Sequence, residues 1–552
     1  MLSRRDLSRM AAGTVSLSGA RAASINRFAT ARTITEWSFT SGKKYADPFN
    51  DVELDVVFTG VGAEIRVPAY WAGGGEWRVR FAPPEPGRYK YRTVASDTSN
   101  RELHGVEGVV EAVPYDGSNR LLHHGPVRVA ASKRWLEHAD GTPFFWLADT
   151  WWMGLCKRLE WPDDFERLLA DRLEKGFTVI QIIAGLYPDM PAFDPRGANE
   201  AGFPWETDYA RINPAYFDAA DLRIQRLVSR GIVPCIVGCW GYFLPWMGTE
   251  KLKKHWRYLV ARWGAYPVIW CLAGEGTMPY YLSRDKQGDA ALQKKGWTEI
   301  ARYVRSIDGF RRPVTIHPSS SARECVEDQS VLDFEMLQTG HSDRQSIPNT
   351  VRLVTGGRER EPRMPVIDGE VCYEGILEAS REEIQRFMFW ACMLSGAAGH
   401  TYGANGIWQV NRPDQPFGPS PHGRSWGDRA WDEAMRLPGS GQLGIGKALL
   451  ARYEWWRFEP HPEWADPRWN EKNYMLPFAA GIPGKGRIMF LPTRWDPPKL
   501  KQLEPGVTYR AFLFDPRNGK RRPLGEVAGD AAGDWQVPVL PTVADWVLVL
   551  ER

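Results

Sequence analysis

The feature that most constrains the fold is an alternation that begins near residue 120. A short apolar run at 144–147 is followed by Phe165, Leu168, Leu169 and Leu173 at helical spacing, with Gly176 as the stop. The pattern repeats. An apolar run at 179–184 precedes a helical face of Ala220, Ile224, Leu227 and Val228, and a run at 232–237 precedes Trp256, Leu259, Val260 and Trp263. Further runs lie at 268–272, 313–316, 331–337, 365–367 and 400–402, with Ile384, Phe387, Met388, Ala391 and Cys392 marking the helix before the last. Eight strands, most with intervening helices over roughly 280 residues, match a (β/α)8 TIM barrel in count and size. A doubly wound open sheet is the structural alternative.

At 552 residues the chain is too long for one hydrophobic core. Runs at 52–58, 64–67, 77–81 and 88–94, bounded by Gly and Pro, predict an N-terminal β-sandwich over 30–118. The barrel is assigned to 119–445. Beyond it, runs at 487–492, 508–514 and 546–550, with a turn at Asn518-Gly519, predict a small C-terminal β-sandwich over 446–552. Residues 1–29 hold Arg4-Arg5, a mildly apolar stretch and Ala20-Arg21-Ala22. They resemble a signal peptide of the twin-arginine type, so export to the periplasm or beyond is expected; a disordered tail is the competing reading. No apolar run approaches the ~18 residues that span a bilayer. The net charge of +3 gives no pull toward nucleic acid or an anionic membrane. Seven irregularly spaced Cys predict buried free thiols rather than a disulfide framework. Oligomeric state is not encoded in any readable pattern.

In a TIM barrel, chemistry collects where strands end and βα loops begin. The segments after the eight runs carry Asp149, Trp151 and Trp152; Gly185-Leu186-Tyr187; Trp240; Glu275; His317; Gln338 and His341; Glu370, Tyr373 and Glu374; and Tyr402, with Trp408 beyond. A polar, aromatic rim on an apolar barrel suits a sugar-cleaving pocket. Glycoside hydrolysis needs two carboxyls with opposite tasks, one protonating the leaving oxygen and one attacking the anomeric carbon or activating water. Glu275 and Glu370 are the best pair, since each follows a Gly just past its strand; capping or ion pairing is the competing reading for both. An apolar setting behind Glu275 favours a raised pKa and the acid role. Asp368 and Glu374 compete with Glu370, and strict alternation places Asp368 and Glu370 on one side.

Asp149 reads as a sugar ligand or as a cap for the turn after the first strand. His317 and His341 read as donors to substrate or to Glu370, or as structural residues. Gln338, Tyr373 and Tyr402 join the candidate substrate-binding set. Trp151, Trp152, Trp240 and Trp408 read as stacking platforms, with core packing as the alternative for each. No metal and no cofactor are expected: H-E-x-x-H, paired C-x-x-C, a Walker loop and a G-x-S-x-G elbow are absent, and no G-x-G-x-x-G follows a strand.

These residues lie in longer matching stretches, among them Gly141 to Thr150, Asn213-Pro214-Ala215-Tyr216-Phe217, Ile269 to Glu275, Leu332 to His341, Asp368-Gly369-Glu370-Val371-Cys372-Tyr373-Glu374 and Gly396 to Gly403. Over about residues 120 to 445 the chain resembles the apiosidase-like glycoside hydrolases. The resemblance implies a TIM barrel with acid/base after strand four and nucleophile after strand seven, positions that fall on Glu275 and Glu370. It also implies flanking β-domains, the C-terminal one of a type named for collagen binding. Many members carry Gly-Gly-Asp where this chain has Ala273-Gly274-Glu275, and Glu reaches one methylene further, which leaves apiose specificity open. The expected function is cleavage of a terminal or short-chain glycosidic bond in a carbohydrate, with retention. A non-catalytic sugar-binding barrel and a transglycosylase are the rival readings.

Overall fold

The computed structural model describes residues 25–62, 64–493 and 496–552. The signal-like segment before Ile25 lies outside the described residues. At its centre is an eight-stranded parallel sheet. Its strands are β1 (Trp146–Trp151), β2 (Val179–Ile183), β3 (Val233–Val237), β4 (Ile269–Cys271), β5 (Val314–Thr315), β6 (Glu335–Gln338), β7 (Val366–Glu370) and β8 (Gly399–Tyr402). Each of the eight apolar runs yields one of them. The order β5-β4-β3-β2-β1-β8-β7-β6 leaves β5 and β6 as the two free edges. Asp333 N donates to Val314 O at 2.8 Å, Gln338 N to Ser320 O at 3.0 Å and Thr315 Oγ1 to Phe334 O at 2.9 Å, so these edges also meet and the sheet rounds into a near-barrel. That closure removes the doubly wound alternative.

Around it lie α1 (Asp163–Glu174), α2 (Pro214–Ser229), α3 (Phe243–Trp263), α4 (Lys286–Ile307), α5 (Ile347–Glu359), α6 (Glu382–Leu394) and α7 (Pro438–Leu450). Their starts follow local chemistry. Asp163, Asp164 and Glu166 crowd the positive end of α1. Asn213 accepts from Ala215 N ahead of Pro214 at the first turn of α2. Between β5 and β6 a short 3-10 turn, Ala322–Cys325, replaces the helix. The sequence boundary at 445 falls inside α7. Its buried Leu443, Leu449 and Leu450 carry the helix past that point to Leu450.

The N-terminal region is a seven-stranded sheet from Ile25–Thr30 to Glu107–Val113. Its first strand begins inside the 1–29 segment assigned to a leader or tail, because it adds in parallel to Glu107–Val113. The long strand Ile65–Gly73 pairs with Leu54–Thr59 through one half and with Glu76–Phe81 through the other. The two halves meet at Phe58 and Phe81, whose rings stack at 3.8 Å. Buried Arg80 joins this sheet to the barrel by ion pairing with Asp221 of α2 and donating to Arg262 O of α3 at 2.8 Å.

At the other end, a six-stranded sheet runs from Glu459–Pro460 to Trp546–Glu551. Its Phe478 and Phe490 pack edge-on against Phe387 of α6, and Arg386 of the same helix makes a buried ion pair with Asp545 at 2.7 Å. All seven Cys are buried free thiols. Among the described residues, no helix is long and apolar enough to cross a membrane.

Side-chain alternation along β1 decides two of the candidates. Trp152, just past its end, reaches the barrel mouth, whereas Asp149 and Trp151 face the helices. Asp149 accepts from Arg172 Nε of α1 at 2.6 Å and from Trp151 Nε1 at 2.7 Å, and neither member of the Asp149–Arg172 pair is exposed at all. Trp151 packs edge-on against Phe165. Neither residue reaches the mouth, so their assignment to substrate is corrected: both hold α1 to the barrel. Removing one member of a buried pair leaves the other charge without compensation. Asp149→Ala is therefore expected to cost about 3–5 kcal/mol of stability. Urea unfolding checks this, and a loss under about 1 kcal/mol would show that the pair holds little.

Candidate active site

The C-terminal mouth of the barrel holds an open pocket lined by Trp152, Pro188, Asp189, Trp240, Glu275, Tyr281, Gln338, His341, Glu370, Tyr373, Ile376, Trp408 and Trp426. Eight of the residues singled out from sequence meet here: Trp152, Trp240, Glu275, Gln338, His341, Glu370, Tyr373 and Trp408.

Glu370 reaches the pocket because β7 breaks alternation. Leu337 pairs with Asp368 and Gln338 with Glu370, so Gly369 is an extra residue, a bulge. A Cβ on Gly369 would lie 2.4 Å from Met336 Cγ, which leaves glycine as the residue that fits. The bulge turns Glu370 inward while Asp368 points to α6, where Cys392 Sγ lies 3.4 Å from it. The expectation that both face one side is corrected accordingly, and Asp368 leaves the contest. Glu374 leaves it too. It accepts from Tyr402 Oη and from Gly439 N at the start of α7, away from the pocket. Tyr402, fully buried and spent on Glu374, is likewise corrected from substrate ligand to structural donor.

Four side chains converge on the Glu370 carboxylate. Gln338 Nε2 donates to Oε1 at 3.0 Å and His341 Nε2 lies 2.7 Å from the same oxygen. Tyr373 Oη donates to Oε2 at 2.7 Å and itself accepts from Trp152 Nε1 at 2.9 Å. His317 Nε2 sits 3.2 Å from Oε2. His317 is fully buried behind the pocket wall, edge-on to Trp152, so it faces Glu370 and not the open space; its reading as a substrate ligand is withdrawn, and its alternative reading toward Glu370 fits the 3.2 Å separation. Burial alone would raise the Glu370 pKa, but His317 and His341 outweigh it and hold the carboxyl well below its usual range.

Glu275 has the opposite environment. Burial, and then the negative charge of Glu370, push its pKa up to about 7. Its partner is the same amide: Gln338 Nε2 lies 3.2 Å from Glu275 Oε1. The backbone at Glu275 is left-handed, with φ 42°, an unfavourable region for a side chain of this size. Hydrogen bonds on both sides hold it there: Gly274 N to Cys239 O at 2.8 Å and Gly276 N to His317 O at 2.9 Å. Trp240 lies flat against Gly274, where an added Cβ would come within 2.1 Å of the indole.

Sequence reasoning missed Pro188, Asp189, Tyr281, Ile376 and Trp426. Asp189 accepts from Tyr281 Oη and from Trp426 Nε1, the latter at 2.8 Å, so it ties together the loops after β2, β4 and β8 over the pocket. The run Tyr187-Pro188-Asp189 and the pair Tyr280-Tyr281 lie just past the strand ends; Trp426 sits in an unpatterned Pro/Gly/Arg loop that offers no signal. Among the described residues, none of the pocket lining forms part of a His/Cys/Asp/Glu cluster with metal-ligand spacing.

The apiosidase-like catalytic-domain family matches residues 130–457, and a domain of unknown function, DUF5060, matches 32–96. No curated protein matches the chain. A solved glycoside hydrolase of family 5 from Bacteroides vulgatus ATCC 8482 is 23% identical, with TM-score 0.65 over 78% of this chain and 94% of that one. A second protein from the same organism, provisionally titled a glycoside hydrolase, is 17% identical, with TM-score 0.69 over 95% of this chain and 100% of that one. These likenesses establish a shared fold, in the second case along nearly the whole chain. The family match spans more than half of the sequence and includes every side chain that contacts Glu370: the chain belongs to the apiosidase-like glycoside hydrolases.

Proposed function

We propose that this glycoside hydrolase cleaves a terminal or short-chain glycosidic bond with retention of configuration, Glu370 acting as nucleophile and Glu275 as acid and then base. The observation that carries the reading is the shared Gln338 amide. With Glu275 Oε1 at 3.2 Å and Glu370 Oε1 at 3.0 Å from one nitrogen, those two oxygens are at most about 6.2 Å apart. Retaining enzymes place their carboxyls about 5–5.5 Å apart, whereas inverting ones need about 6.5–9.5 Å to seat a water. The charges divide in the same sense: Glu370 stays ionised for attack, and Glu275 keeps a proton for the leaving oxygen.

In this reading Glu370 Oε2 or Oε1 attacks the anomeric carbon while Glu275 passes its proton to the departing oxygen. Glu275, now ionised, takes a proton from water, which displaces Glu370 from the glycosyl-enzyme. Gln338, His341 and Tyr373 hold the nucleophile, and Trp152, Trp240 and Trp408 offer apolar faces for a sugar ring. The loops joined by Asp189 narrow the pocket, which favours a chain end over a chain interior. We also read the two flanking sheets as β-sandwich modules and the basic N-terminal segment as an export signal. Buried thiols without a disulfide suit a chain that folds before export.

A panel of aryl glycosides and plant and bacterial polysaccharides, with released sugar as the readout, identifies a substrate. Proton NMR of the first-formed product then reads its anomer, and retention is expected; an inverted product would sink the assignment. Glu370→Gln and Glu275→Gln are each expected to lower turnover by about 10²–10⁴-fold while sugar binding by calorimetry persists. A Glu275→Gln variant with full turnover on a poor leaving group would remove Glu275 from its role. Transfer to an added alcohol in place of water would favour the transglycosylase.

The pH profile follows from Glu275. Its pKa lies above the ordinary carboxyl value, so the protonated acid form is present below about 7 and is lost as pH rises through about 7. The rate is expected to fall on that alkaline side, and the limb should disappear for a leaving group that needs no protonation.

A further inference from the structure

Behind β7, on the side away from the pocket, Asp368, Cys392 of α6 and His400 of β8 meet in the layer between sheet and helix. All three are buried, and one ligand atom of each lies within 4.8 Å of the other two. Cys392 Sγ is 3.4 Å from Asp368 Oδ2, and Thr339 Oγ1 is 3.3 Å from the same oxygen. The remaining polar atoms find no hydrogen-bond partner among the described residues: Asp368 Oδ1 and both ring nitrogens of His400. A neutral imidazole always carries one N–H, so a fully buried His400 with neither nitrogen paired is out of keeping with the rule that buried polar groups are satisfied. The His400 ring is fixed by an edge-on contact with Phe389, at 5.6 Å between centroids.

We propose that Asp368, Cys392 and His400 form a buried structural site for a divalent zinc-like cation. Thiolate, imidazole and carboxylate together are a donor set that zinc takes in tetrahedral sites, with a water or a nearby hydroxyl to complete it. On one ion, ligand atoms stand roughly 3.3–3.8 Å apart. A contraction of about an ångström, within the reach of side-chain rotation, would bring the three to that spacing. The cation would satisfy the orphaned Asp368 oxygen and one His400 nitrogen together. Bound to it, Asp368 and Cys392 would be held as carboxylate and thiolate. The ion takes no part in bond cleavage. Its effect would be to pin β7, β8 and α6 together two residues from Glu370.

The test uses the full chain, stripped of metal with a chelator under reducing conditions and then offered zinc or cobalt(II) alone. Retention of about one zinc per chain after dialysis, and a thiolate-to-cobalt charge-transfer band in the unmutated protein, are expected. Cys392→Ser should lose the band, and His400→Asn should lower the retained zinc at least tenfold. Zinc should also raise the unfolding midpoint of the unmutated protein but not of Cys392→Ser. No retained metal in the unmutated chain would overturn the proposal, with ordered water as the occupant. So would metal that stays bound to both variants, or a cobalt complex without a thiolate band. The cobalt spectrum needs no variant, so misfolding of either one leaves the test intact.

Discussion

The carboxylate of Glu370 is the point to which the barrel mouth is built. Taking a charge out of water costs several kcal/mol unless hydrogen bonds replace what solvent gave. Here the replacements come from separate segments of the rim: Gln338 and His341 at and after β6 and Tyr373 after β7, with Trp152 from beyond β1 behind Tyr373 and the His317 ring after β5 lying 3.2 Å from the carboxylate. No stretch of local structure can assemble that set, so it exists only when the parallel sheet closes. The same negative charge helps keep the proton on Glu275, so the two glutamates differ in ionisation because one of them is well solvated by protein and the other is not.

Two local departures from regular geometry make this arrangement possible. The Gly369 bulge rotates Glu370 into the mouth, and the left-handed backbone at Glu275 aims a long side chain back over the pocket. Each is braced by packing: Met336 fills the space where a Cβ on Gly369 would go, and the Trp240 indole covers Gly274. Glu275 is thus seated on a backbone that is itself displaced from the ordinary.

Much of this was legible from sequence, for physical reasons. Apolar runs buried on both faces stand out in any alternation, so all eight strands were visible, as was the pair of glutamates just beyond two of them. Proximity to a strand end, however, does not say which face a side chain takes. Asp149, Trp151 and Tyr402 follow or end apolar runs as Trp152 does, yet they point to the helices and serve Arg172, Phe165 and Glu374. The bulge at Gly369 was invisible because it is a property of pairing between two strands. Asp189 and Trp426 lie in loops whose course depends on each other. The edge strand Ile25–Thr30 was hidden because it pairs with Glu107–Val113, some eighty residues away.

The packing of the C-terminal sheet bears on how far the catalytic unit extends. Phe478, Phe490, Phe512 and Val547 belong to the same continuous apolar cluster as the barrel interior, and Arg386 on α6 pairs with Asp545. The recognisable family segment stops at 457, yet the last helix layer is finished by residues almost a hundred positions later. Removing that sheet would strip Phe387 of its aromatic partners and Arg386 of its carboxylate, so the α6 layer of the barrel is complete only with the trailing sheet in place.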